Sequence, residues 1–91
     1  MFSIIFSDEA QSDIVESSEY YIEISEDLND RFLSEVMSTI ERIQENPKLH
    51  QIRYKNIRIA FAHVFPYGIH FFIDNEKILI VRILHTKRFF K

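Results

Sequence analysis

The side chains with the greatest chemical potential in this 91-residue sequence are cations and imidazoles. Arg53, Lys55, Arg58, Arg82, His85, Lys87 and Arg88 all fall in its second half. An arginine guanidinium is a planar donor fork that matches phosphate or carboxylate, and a histidine can exchange a proton near neutral pH. Phosphate cleavage would use Arg88, Arg82 or Arg58 to stabilise a pentavalent phosphate and His85 as proton donor or acceptor. Tyr54, Tyr67, Phe72, Phe89 and Phe90 are interleaved with these cations and could stack on bases. Basic groups beside aromatic rings suit RNA binding and suit an acidic peptide equally. A plainer reading places Arg82 in a strand, neutralised by a helix acid, and packs Tyr67 and Phe72 into the core.

Other chemistries find little support. With no cysteine there is no thiolate metal site, no thiol nucleophile and no disulfide. The four histidines, at 50, 63, 70 and 85, lack metal-ligand spacing on one element. Gly68 is the only glycine, so no glycine-rich loop can cradle a phosphate. The carboxylates lie on the solvent faces of helices rather than in a facing pair. Neither metal nor cofactor is expected.

The charge is divided along the chain. Residues 1–46 carry twelve acids and two bases, a net −10, whereas residues 47–91 carry nine bases and two acids, a net +7. The overall −3 therefore conceals a strong asymmetry, and the basic half can attract phosphate or an acidic partner. Hydrophobic residues make up 46% and aromatics 14%, which excludes an intrinsically disordered tail. No apolar run approaches the roughly 18 residues of a membrane span. The opening MFSIIFSDEA lacks the basic segment of a signal peptide. A single cytoplasmic domain over residues 1–91 is the expectation.

These side chains need elements to hold them. Residues 2–6, FSIIF, read as a short strand, with Ser7 and Asp8 capping a helix over 8–24. Its apolar line is Ala10, Ile14, Ser17, Tyr21 and Ile24. A turn is expected at Ser25-Glu26-Asp27. A second helix over 28–45 carries Leu28, Phe32, Val36, Ile40 and Ile43, widened by Leu33 and Met37, and Asn46-Pro47 stops it. Beyond Pro47 the period changes to two. Residues 50–55 read as extended and 57–62 as a strand; Pro66-Tyr67-Gly68 is a turn, 69–73 a strand, 74–77 a hairpin loop, and 78–84 a nearly continuous apolar strand suited to an interior position. The expected fold is α+β, β-α-α-β-β-β, a two-helix antiparallel hairpin packed on a mainly antiparallel sheet. Hairpin register is open: a two-residue loop places Arg82 with Phe71 and Ile69, a three-residue loop with Phe72 and His70.

The order of elements, with AQSDIVESSEYY, DRFLSEV…IERIQENP and FPYGIHFFIDNEKILIVRILHTKR, resembles the RelE/ParE toxin superfamily of bacterial type II toxin–antitoxin systems. The likeness covers nearly the whole chain. It rests on an Asn-Pro closing the second helix, a Pro-Tyr-x-Ile opening the penultimate strand, and a last strand running into His-x-x-Arg, His85 to Arg88. The resemblance implies a toxin encoded with a cognate antitoxin and able to form a hetero-oligomer with it. The RelE-like branch implies a ribosome-dependent mRNA endonuclease; the ParE-like, plasmid-stabilisation branch implies an inhibitor of DNA gyrase that acts by binding. A third possibility is a non-toxic protein-binding module on the same fold. The RelE-pattern arginine at the end of the last strand matches Arg88, with His85 beside it as the other catalytic candidate. The arginine opening the preceding strand is replaced by Gly68, and the paired lysines of the strand before that by Ile59 and Phe61. Phe89 and Phe90 offer rings without the hydroxyl of the usual downstream tyrosine. The wording is closer to the ParE-like branch, in which Arg53, Lys55, Arg58, Arg82 and Lys87 would bind the target.

Overall fold

A computed structural model describes residues 2–89, with side chains through Lys87. The elements run β1 (Ser3–Phe6), α1 (Asp8–Ile24), α2 (Glu26–Glu45), a 3₁₀ turn (Pro47–Leu49), β2 (Ile52–Tyr54), β3 (Ile57–Phe61), β4 (Tyr67–Asp74), β5 (Lys77–His85) and a final helical turn, α3 (Thr86–Phe89). The strands form one sheet in the order β1-β5-β4-β3-β2, antiparallel except for the parallel pair β1 and β5. The expected α+β hairpin-on-sheet architecture is present, with one more strand than expected because 52–54 pairs with β3.

One residue joins the helices. Ser25 is extended, its N–H donates to the Tyr21 carbonyl to close α1, and its hydroxyl accepts from the Leu28 N–H to open α2. The second helix therefore starts at Glu26, two residues before the expected Leu28, and Glu26 and Asp27 occupy its first turn, where the helix dipole favours acids. A Ser18 to Asn29 hydrogen bond of 2.8 Å ties the two helices together.

α1 lies over β5 and α2 over β3. The core between the layers is built from Phe32, Val36, Ile40 and Ile43 of α2 against Ile69, Phe71, Ile78, Ile80 and Ile83 of the sheet. Each such side chain is worth about 1.5–3 kcal/mol in removed apolar surface. Tyr21, Phe32, Phe65 and Tyr67 form an aromatic cluster with centroid separations of 4.8–6.4 Å. Two residues placed on the apolar stripes, Ile24 and Met37, are instead 59% and 56% exposed. The helices are broader in apolar surface than the sheet can cover.

The loop before β4 lies at 62–66, because β4 already begins at Tyr67. Glu35 of α2 secures it: the carboxylate accepts from the Val64 and Phe65 N–H groups at 2.9 and 2.7 Å. β5 is interior, as its composition predicted, although β4 occupies the middle of the sheet.

Candidate functional site

The register of β4 and β5 determines where Arg82 stands. Asn75-Glu76 forms a two-residue loop between Asp74 and Lys77, and Asn75 takes the left-handed conformation at φ 57°, which asparagine tolerates better than most residues. Up to Phe71 opposite Ile80 the pairing is regular. Val81 is then bulged out, so Arg82 stands opposite His70 rather than on the Phe71 side. A bulge leaves backbone groups without their ladder partners, and the start of the chain supplies them. β1 pairs with β5 only as far as Ile80. Past that point the Ser7 hydroxyl donates to the Val81 carbonyl at 2.8 Å, and Asp13 accepts from the Ile83 N–H at 2.9 Å. The same carboxylate takes Arg82 bidentately, from Nε at 2.8 Å and Nη2 at 3.0 Å. This pairing holds the guanidinium proton more tightly than in a free arginine, against the opposing effect of burial.

The remaining cations do not converge. Arg53, on the outer strand β2, lies over the Phe61 ring at 5.5 Å, and Lys55 is exposed in the β2–β3 turn at φ 50°. Arg58 is turned back on its own chain, donating to the His50 carbonyl at 2.7 Å. Lys87 is exposed in α3. The side chain of Arg88 lies outside the described residues. Arg82 and His85 are the two candidates that share a wall, in a small recess that also includes Asp13 and Glu16.

His85 opens onto a larger cleft of about 430 Å³ between α1 and the end of the sheet, lined by Glu16, Ser17, Tyr20, Tyr21, Ile24, Tyr67 and His85. Its Nδ1 accepts from the Lys87 N–H at 3.2 Å, which leaves Nε2 to carry the proton of a neutral ring. Burial and a hydrogen bond with Tyr67 push the Tyr21 phenol well above its ordinary value, so it stays protonated. The cleft therefore offers aromatic faces, hydroxyls and a carboxylate, an environment that disfavours an anionic phosphate.

The sheet face turned away from the helices carries what the sequence reading missed. Gly68 is paired with Phe61, and Ile59 with His70. A Cβ on Gly68 would come within 3.0 Å of Ile59 Cγ2 and 3.5 Å of Phe61 Cε1, so the missing side chain is the space these two fill. His70 is 2% exposed, and its Nδ1 lies 2.7 Å from the Tyr54 hydroxyl. Burial foremost, then Arg82, lowers its pKa from the ordinary 6.5, with Asp13 opposing. The alternation in residues 67–72 could have flagged His70 as facing away from the helices; nothing in it pointed to Tyr54. Among the described residues no group of three potential ligands could hold a metal, and no helix is long and apolar enough to cross a membrane.

A two-helix hairpin that carries most of the acids, packed on a five-stranded sheet with dispersed cations, defines a small α+β protein. Structures of the same fold include a chain described as "Chromosomal ParDE TA system from P. aeruginosa", with a TM-score of 0.82 and 17% identity over 93% of this chain and 96% of that one. A chain of the E. coli DinJ-YafQ complex matches with a TM-score of 0.56 and 13% identity over 100% of both chains. No curated protein sequence matches. The family model described as "ParE toxin of type II toxin-antitoxin system, parDE" matches residues 4–90. The chain belongs to the ParE toxin family.

Proposed function

We propose that this ParE-family toxin arrests growth by binding its target, DNA gyrase, rather than by cutting mRNA on the ribosome. The observation that carries this reading is the contact among Ile59, Phe61 and Gly68. Those are the positions at which the RelE pattern has cations, and here they form one apolar packing unit. Other features agree with it. Arg82 is engaged by Asp13 and Arg58 by a backbone carbonyl, so neither is poised for a scissile phosphate. His85 lines a cleft whose charged wall is Glu16. Inhibition by binding needs no proton inventory, only a surface; of the candidate cations, Arg53, Lys55 and Lys87 are exposed and would serve it.

The toxin would be held inactive by an antitoxin. β2 is an outer strand whose three residues are all exposed, with Ile52, Tyr54 and Phe61 contributing apolar surface beside Arg53. An unpaired edge of this composition suits strand addition by an acidic, partly apolar segment. The test is a gyrase supercoiling assay with purified toxin, beside mapping of ribosome-bound mRNA 5′ ends after induction. Loss of supercoiling without new 5′ ends is expected. New 5′ ends that vanish in His85→Gln would establish the nuclease instead, and neither effect would leave a non-toxic binding module.

A further inference from the structure

The cleft between α1 and the end of the sheet has been assigned no ligand, and its lining is rich in aromatic rings. Three tyrosines, Tyr20, Tyr21 and Tyr67, and the His85 ring surround about 430 Å³ of open space, with Glu16 at the wall. The rings stand nearly at right angles: Tyr20 to Tyr21 at 78° and 5.1 Å, Tyr67 to His85 at 73° and 5.3 Å. These pairs are in edge-to-face contact, and of the three tyrosines it is Tyr20, 62% exposed, that offers an open ring to a group entering the cleft. Aromatic faces carry negative quadrupole density and attract cations, guanidinium most often among side chains.

The charge points the same way. Asp13 and Glu16 are one helical turn apart on α1, and both line the recess that adjoins the cleft and shares Glu16, Ser17, Tyr67 and His85 with it. Asp13 is satisfied by Arg82. Glu16, three residues on, forms no ion pair among the described residues. Counting Arg82, Asp13 and Glu16 together, this wall keeps one uncompensated negative charge, and Asp13 already shows that a carboxylate here takes a guanidinium bidentately. Around the mouth, Tyr20 and Ile24 are 62% and 59% exposed, so a partner seated there would also cover apolar surface.

We infer that this cleft receives an arginine side chain from a partner polypeptide, the guanidinium stacked on Tyr20 and paired with Glu16. A planar guanidinium suits the site better than an ammonium because it can stack and pair at once. A polypeptide is the source, rather than a free amine, because the exposed Tyr20 and Ile24 at the mouth match apolar neighbours that only a chain would supply. The inference is independent of the target proposed above, since it rests on the cleft alone.

The experiment is an NMR titration of the full chain with N-acetyl-argininamide, using uncharged N-acetyl-citrullinamide as the isostere. Saturable shifts of Tyr20, Tyr67 and His85 are expected with the arginine compound and none with citrulline. Glu16→Gln should weaken binding roughly threefold to fivefold, the scale of one solvent-exposed charge pair, and Tyr20→Ala by a similar factor. Both residues are exposed, so the variants should fold as the parent does. Glu23→Gln, on the same helix but outside the cleft lining, should change nothing. An acetylated Leu-Arg-Leu amide should bind more tightly than N-acetyl-argininamide and more tightly than spermidine. Equal shifts with citrulline, equal weakening by Glu23→Gln, or tighter binding of spermidine than of the peptide would each overturn the inference.

Discussion

Removing the Asp13 carboxylate should damage the fold. Three donors converge on it: Arg82 Nε, Arg82 Nη2 and the Ile83 N–H. The third is decisive, because β1 ends opposite Ile80 and Ile83 is 2% exposed. In Asp13→Ala the stranded amide costs about 1–3 kcal/mol. Losing the ion pair adds about 1 kcal/mol, kept small because the Arg82 side chain is 42% exposed. The expected loss is thus about 2–4 kcal/mol, from a total of about 5–14 kcal/mol for a chain of this length.

Asp13→Asn separates the two contributions. Its side-chain oxygen still accepts from Ile83, so only the charge pairing is lost, at about 1 kcal/mol. Urea unfolding followed by far-UV circular dichroism at neutral pH gives both values. A cycle that includes Arg82→Met should show coupling of about 1 kcal/mol between the two side chains. If Asn costs as much as Ala, the amide acceptor is not what Asp13 supplies; if the cycle is additive, the ion pair contributes nothing. The same geometry bears on function, because Arg82→Glu would set two carboxylates against each other, and a loss of toxicity in that variant would report unfolding.

Gly68→Ala should lower stability by about 1–3 kcal/mol in thermal or urea melts, since the new Cβ meets Ile59 Cγ2 at 3.0 Å. Tyr54→Phe should cost about 1 kcal/mol by deleting the hydrogen bond to His70 and should speed amide exchange in β2 more than in β4. The depressed His70 pKa means the unfolded chain binds the proton more readily. Its contribution is therefore full above pH 6.5 and is lost as pH falls from there through the folded value; His50 is lowered as well, by burial and then Arg42 and Arg58, and steepens the same limb. Urea midpoints between pH 7.5 and 5 should fall in the parent and fall less in His70→Gln. Arg53→Glu with Lys55→Glu should weaken capture by a cognate antitoxin while lowering stability by no more than about 1 kcal/mol, the scale of the exposed contact between Arg53 and the Phe61 ring.

The helices were legible because apolar spacing and the Ser7 cap are local signals: Phe32, Val36, Ile40 and Ile43 share one face on a helix. β2 was less legible, since all three of its residues are exposed and no buried face imposes a period. That Arg82 would be a strand residue neutralised by a helix acid was legible as the plainer reading; its register was not. It depends on a bulge at Val81, whose carbonyl is satisfied by Ser7, 74 residues away, and no local pattern announces a partner at that distance. The seven candidate cations and imidazoles were a correct inventory of side chains, but proximity in sequence did not become proximity in space. Asp13, Tyr54 and Glu35, which hold the arrangement together, look in the sequence like ordinary solvent-facing residues.

The three departures from the nuclease pattern are a single packing solution rather than three separate losses. Phe61 and Ile59 can lie where they do because Gly68 has no side chain, and an aromatic ring across a glycine restores the contact that the glycine forfeits in a strand. Restoring one cation alone would therefore fail physically. An arginine placed by Gly68→Arg would drive its Cβ into Ile59, while Ile59→Lys would bring an ammonium next to His70, whose pKa is already lowered by burial and by Arg82. Cations at 59, 61 and 68 would fit best when introduced together, beside the Arg53 guanidinium that already lies over the Phe61 ring. The trio of Ile59, Phe61 and Gly68 is thus held by mutual packing rather than by any one of its members.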